Sequence, residues 1–199
     1  MLQLIETICF ENGILHRIPL HQERMMRARS HFFKCTDTIY LAEILEIPEI
    51  LKGNKVKCRV SYSRTIDEIE YENYVPKEIE KLQFVYDDSI SYDHKLKNRD
   101  ALRLLLDKRG TAQEVIIVKN GWITDASYAN VVLRKKNKWY TPEFPLLPGT
   151  RRAQYLDNGI LSVAQIRPSD LCQYDELRLI NAMLSMEESA TIPIDHILL

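Results

Sequence analysis

The sequence predicts an α+β fold in two layers, with a mixed sheet behind and helices and loops in front of it. Three observations predict this. Short alternating runs such as LQLIETICF and KVKCRVSYS read as half-buried strands. Helical spacing is confined to a few separated segments. No internal repeat or low-complexity stretch points to a solenoid or a coiled coil. At 199 residues, 45% of them hydrophobic, the chain is long enough to bury a core, as one larger domain or as two small ones.

Residues 2–10 alternate, ENG at 11–13 is a strong turn and ILHRI follows, so the chain opens on a hairpin. LHQERMMRARSHFF (20–33) sets Leu20, Met25, Ala28 and Phe32 near helical spacing, with Arg24 and Arg27 on neighbouring parts of the surface. A second short helix is expected over 38–47, ending before Pro48. Residues 55–63 and 68–75 alternate like two antiparallel strands until PKEIEKL breaks the pattern from Pro76 onwards. A boundary near 76–90 is therefore expected, with a small N-terminal α+β domain over 1–85 and a C-terminal domain over 86–199. In the second half, LQFVYD is a strand, and NRDALRLLLDKRG is a helix with Leu102, Leu105 and Leu106 as its apolar stripe and Gly110 as its stop. EVIIVKNGWITD reads as strand, Asn120-Gly121 turn and strand, and NVVLRKKNKWY as one further strand. PLLPGTRRAQYLDNG is a proline-flanked loop and then a helix from about Thr150 to Gly159, after which ILSVAQIR and DELRLINAM complete the strands.

With 27 basic against 28 acidic residues and a net charge of -1, the chain lacks the electrostatic footprint of a nucleic-acid or anionic-membrane binder. Cys9, Cys35, Cys58 and Cys172 are scattered with no C-x-x-C spacing, which reads as free thiols rather than metal ligands or disulfides and implies a cytoplasmic setting. No apolar run approaches the ~18 residues of a spanning helix, and the N-terminus lacks a signal peptide's basic and apolar regions, so a soluble protein is expected.

Few segments carry chemistry on their own. LPGTR (147–151) places Gly-Thr at a helix start, where backbone N–H groups and the helix dipole favour an anion and a hydroxyl adds a donor, although glycine before a helix is more often only a turn. Arg24, in the H-x-x-R of HQER, is suited to bringing a guanidinium to a phosphate. In SYDHKLKNRDAL, Lys95 and Lys97 read, from the residues alone, as solvated charges at a strand end.

Taken in order, IETICFENG, LHQERM, KLKNR, GWITDASYAN, LLPGTR and DELRLINAM resemble the pyridoxal-phosphate enzymes of fold type IV. That family includes class IV aminotransferases and 4-amino-4-deoxychorismate lyase, and the chain looks most like the latter. The resemblance spans nearly the whole chain. It implies two small α/β domains with pyridoxal 5′-phosphate at the domain interface, a homodimer, and a small amino acid or amino-chorismate substrate. It also implies site residues. Lyase-like members place the Schiff-base lysine three residues before an Asn-Arg pair, and Asn98-Arg99 counts back to Lys95. An acidic residue five positions before an asparagine faces the pyridine nitrogen in the family, which here gives Asp125 and Asn130. Gly149, Thr150 and the Arg151 amide match the phosphate loop, Arg24 matches the phosphate-binding arginine, and His21 is a support of the fold. No metal is implied.

Two features depart from the family pattern. It usually has glutamate where this chain has Asp125, one methylene shorter. Members are also commonly longer, and here Met1 enters almost directly at the strand bearing Glu6-Thr7. The expected activity is pyruvate elimination giving 4-aminobenzoate, for folate synthesis. The alternatives are transamination of a branched-chain or D-amino acid, and a non-catalytic scaffold that keeps the fold.

Overall fold

The computed structural model describes residues 2–198. The chain forms two compact units, one running to Val75 and also taking His94–Asn98, the other made of Pro76–Asp93 and the chain from Arg99 on.

The first unit is an antiparallel sheet with helices on one face. Strand β1 (Leu4–Glu11) turns through Asn12 and Gly13, both at positive φ (52° and 79°), into β2 (Ile14–Leu15). An Asn-Gly pair suits this turn because both central positions need left-handed backbone. Helix α1 (Ile18–Phe33) takes Pro19 in its first turn, where a missing N–H costs nothing. The second helix is shorter than expected: α2 spans only Leu41–Ile44, and Leu45 is already extended (φ -92°, ψ 98°). Pro48 disfavours helical backbone at Ile47 before it, so β-branched Ile47 cannot prolong the helix. Strands β3 (Val56–Tyr62) and β4 (Ile66–Asn73) complete the order β2-β1-β3-β4. With Leu4 opposite Tyr62 and Phe10 opposite Val56, the pleat sends Leu4, Ile8, Phe10, Val56, Cys58, Val60 and Tyr62 to the face where Met25 and Ala28 of α1 pack. Each such side chain stabilises the unit by roughly 1.5–3 kcal/mol when fully buried.

The second unit is a mixed sheet. Strand β5 (Leu82–Tyr86) runs parallel to β6 (Glu114–Lys119), and helix α3 (Asp100–Leu106) lies between them in sequence, burying Leu102 and Leu105. The Asn120-Gly121 turn, both at positive φ, leads to β7 (Trp122–Ala126). The single strand expected over residues 130–140 is two, β8 (Asn130–Lys135) and β9 (Lys138–Pro142), folded back at Lys136 with φ 56°. The turn is Lys136-Asn137, in which the asparagine is the one turn residue and no glycine or proline marks the break, so the run looks continuous. Helix α4 (Thr150–Asp157), β10 (Leu161–Ala164), β11 (Glu176–Ile180), β12 (Ile192–Pro193) and β13 (Ile197–Leu198) follow. The order is β10-β9-β8-β7-β6-β5-β13, with β11 against β8 and β12 against β11. Its core gathers Ile116, Val118, Ile123, Val131, Leu133, Leu177 and Leu179. No helix of the described residues is long and apolar enough to cross a membrane.

Candidate active site

Each unit carries a cluster of buried polar groups at the positions the sequence singled out. In the second unit the cluster is centred on Asp125. The five-residue spacing places Asp125 at the end of β7 directly opposite Asn130 at the start of β8. Asp125 Oδ1 accepts from Asn130 Nδ2 at 2.8 Å, and Oδ2 accepts from the Leu147 amide at 2.9 Å. Asn130 Nδ2 donates again to the Leu147 carbonyl at 2.9 Å, so the pair clamps the loop ahead of α4 through both backbone polar groups of one residue. Burial pushes the Asp125 pKa up to about 6, against the pull of the Leu147 amide, Asn130 and the Arg152 guanidinium. Arg152, itself buried, donates to Thr141 Oγ1 (3.2 Å) and the Pro142 carbonyl (2.9 Å).

The clamped loop ends at Gly149, the N-cap of α4. The first intrahelical bond there runs from the Ala153 amide to the Gly149 carbonyl, so the Thr150 and Arg151 amides lie outside the helical ladder. A Cβ on Gly149 would collide with Asn130 Oδ1, so the close approach of backbone to side chain requires glycine. Thr150 is buried, and Arg151 folds back towards the carbonyls of Asn181 (3.3 Å) and Ala182 (3.4 Å). A glycine cradle, a helix N-terminus and a buried carboxylate fit a phosphorylated, nitrogen-containing cofactor.

Two residues without a role of their own at the sequence level hold this cluster. Glu114, fully buried at the start of β6, accepts from the Ser127 amide (3.1 Å) and hydroxyl (2.9 Å) inside the loop that joins Asp125 to Asn130. Arg99, the arginine of KLKNR, donates to the Ser127 carbonyl at 2.6 Å.

In the first unit the cluster is Glu6, His21 and Arg24. The three-residue spacing of H-x-x-R puts His21 and Arg24 on one helix face, above β1. Arg24 donates side-on to Glu6, Nε to Oε1 at 2.8 Å and Nη2 to Oε2 at 2.6 Å, while His21 Nδ1 lies 2.6 Å from Oε2. Complete burial pushes the Glu6 pKa up, but Arg24 and then His21 overcome it and hold it at about 2. Burial depresses the His21 pKa more than Glu6 raises it, so the ring is neutral and donates its Nδ1–H. The signal that would have found Glu6 is its parity: it shares the inward face of β1 with Leu4, Ile8 and Phe10, where a carboxylate needs a partner.

Lys95 belongs to the same unit. Its carbonyl accepts from the Ile5 amide at 2.9 Å, the Lys97 amide donates to the Gln3 carbonyl at 2.9 Å, and Leu96 bridges Leu4, so the KLK segment runs antiparallel along β1 next to Glu6. His94 stacks on His31 (4.9 Å between centroids) and meets Phe32 edge-on (4.7 Å). Both lysines are half-buried, but Lys97 Nζ lies 3.4 Å from Glu68 Oε2, which gives it a structural role. Cys9, Glu11 and His16 also bring metal-type donor atoms within 4.8 Å of one another, but Glu11 already faces the Lys55 ammonium at 3.7 Å. Asp125, Asn130, Gly149, Thr150 and Arg151 thus gather in the second unit, whereas Arg24 and Lys95 lie in the first.

The fold, with a helix N-terminus reached through a clamped glycine loop, is that of an enzyme: the chain belongs to the class IV aminotransferase family, whose profile matches residues 3–187. It is 37% identical over 185 residues to an uncharacterized protein of Haemophilus influenzae, covering 92% of this chain and 98% of that one. Among solved structures it is similar to a candidate 4-amino-4-deoxychorismate lyase from Haemophilus somnus, with 32% identity, a TM-score of 0.84, and 92% and 97% of the two chains covered. It shares its fold with the branched-chain amino acid aminotransferase of Escherichia coli, at 16% identity and a TM-score of 0.70 over 96% of this chain and 75% of that one.

Proposed function

We propose that the protein is a pyridoxal 5′-phosphate-dependent lyase that removes pyruvate from 4-amino-4-deoxychorismate to leave 4-aminobenzoate. The observation that carries the cofactor is the Gly149–Thr150 helix start held by Asp125 and Asn130, a cradle for a phosphate beside a buried carboxylate. Similarity over nearly the full length of the Haemophilus somnus candidate lyase favours elimination over transamination. When bound, the cofactor supplies an aldehyde for the substrate amine and a ring that accepts the electrons of the adjacent C–H bond.

The chain's own residues divide the remaining work. The Gly149, Thr150 and Arg151 amides and the Arg24 guanidinium hold the phosphate. Asp125 turns its carboxylate to the ring nitrogen, each oxygen retaining a lone pair beyond the one used by Asn130 or Leu147. Lys95 would anchor the cofactor aldehyde until the substrate amine displaces it, and the freed lysine amine would then take the proton from the carbon that bears the substrate amine. The lysine's ammonium form would then give that proton to the methylene carbon of the departing enolpyruvyl group, which leaves as pyruvate. A homodimer is expected, and sedimentation velocity checks it.

The decisive experiment supplies 4-amino-4-deoxychorismate and assays 4-aminobenzoate and pyruvate in equal amounts. A parallel arm offers branched-chain and D-amino acids with 2-oxoglutarate. Glutamate production in the second arm without pyruvate in the first would make the protein an aminotransferase. No near-visible absorbance after addition of the cofactor would make it a scaffold. Borohydride reduction and peptide mapping are expected to find the label on Lys95; label on Lys97 would move the register. Lys95→Ala is expected to bind the cofactor noncovalently and lose turnover.

A further inference from the structure

We propose that Glu6 is a positioning residue for Arg24: from within the core its carboxylate fixes the guanidinium side-on, so that the opposite edge is offered in one orientation to the cofactor phosphate. The inference rests on the reading above that Arg24 binds that phosphate.

A guanidinium is planar and its N–H groups are fixed in that plane. Gripping it by Nε and Nη2, at 2.8 Å and 2.6 Å, therefore sets both the plane and the direction of the Nη1/Nη2 end. The grip itself lies in the core. Glu6 is fully buried on the inward face of β1, and His21, also fully buried, holds Oε2 at 2.6 Å. Arg24, in contrast, keeps 11% of its side chain exposed, so one end of the pair is locked in the core and the other reaches the unit's surface. Charge gives a further reason for the arrangement. Glu6 and Arg24 cancel, so the site attracts an anion through directed N–H groups rather than through net charge. A buried ion pair placed for stability alone has no such need of the surface, and apolar residues beside Leu4, Ile8 and Met25 would serve that end as well.

The test compares the affinity of the cofactor-stripped full-length protein for pyridoxal 5′-phosphate with its affinity for pyridoxal, which lacks the phosphate. The ratio of the two isolates phosphate recognition from the state of the fold. Arg24→Ala is expected to lower the ratio by about ten- to a hundredfold, the value of a charge-assisted hydrogen bond. Glu6→Gln is expected to lower it by about tenfold with pyridoxal affinity unchanged, because the amide offers only one acceptor to the fork. In an Arg24→Ala background Glu6→Gln should change nothing further. Arg24→Lys keeps the charge but loses the side-on grip, and is expected to fall as far as Glu6→Gln. An Arg24→Ala protein with the parental ratio would overturn the assignment of Arg24 itself. If Arg24→Ala lowers the ratio while Glu6→Gln and Arg24→Lys both keep it, the positioning role alone is refuted. Should Glu6→Gln not fold, Arg24→Lys decides, since its side chain reaches the surface; a parental ratio there sinks the proposal.

Discussion

Gly149→Ala tests the clamp with a single methyl group. The backbone at Gly149 is ordinary (φ -72°, ψ 149°), so alanine brings no conformational strain, and its effect on the unfolded chain alone would stabilise by about 0.4–1 kcal/mol. Space opposes it. The new Cβ would collide with Asn130 Oδ1 and lie 3.3 Å from Asn130 Cγ. Asn130 cannot yield cheaply, because its Nδ2 donates to Asp125 Oδ1 at 2.8 Å and to the Leu147 carbonyl at 2.9 Å. Moving the amide aside loses a bond to a carboxylate, about 1.5–3 kcal/mol, and one to a carbonyl, about 0.5–1.5 kcal/mol. The net expectation is a loss of roughly 1–4 kcal/mol, read in urea unfolding as a lower midpoint at unchanged slope. In an Asn130→Ala background the collision disappears, and Gly149→Ala should then cost less than about 1 kcal/mol. A change within about 0.5 kcal/mol in the parent, or an equal loss in both backgrounds, would refute the clamp.

Arg152→Met removes the cation that pulls the Asp125 pKa down from where burial would place it, so that pKa should rise above about 6. The variant is expected to lose roughly 2–4 kcal/mol at pH 8, where the carboxylate is charged, and less at pH 5; a pH-independent loss in chemical denaturation would show that Arg152 serves packing alone. Glu6 acts in the opposite sense. With a folded pKa of about 2 against an ordinary 4.5, it contributes stability that is present above pH 4.5 and is lost as the pH falls towards 2. That amounts to about 3 kcal/mol, and Glu6→Gln should flatten this acid limb; an unchanged slope in acid titration of unfolding would contradict the buried ion pair.

Much of this protein was decided by short-range rules that the sequence displays. The Asn12-Gly13 and Asn120-Gly121 turns follow from backbone sterics, which need few residues to act. The H-x-x-R spacing sets His21 and Arg24 on one helix face, Asp125 and Asn130 meet because a short loop joins adjacent strands, and LPGTR marks the start of α4. Where a local signal was weak, sequence and structure part: Lys136 folds a strand back without glycine, and α2 is a single turn in the middle of its expected span. Tertiary structure alone decided who braces whom. Glu6 meets His21 and Arg24 across 15 and 18 residues, the Leu147 amide reaches Asp125 across 22, and Arg99 finds the Ser127 carbonyl across 28. Lys95 lies along β1, at the other end of its unit's sequence. The physical reason is that periodicity tells which side of a strand or helix is buried but not what it is buried against. A charged group turned inward can be seen in the sequence to need a partner, and only the packing of distant segments selects which one.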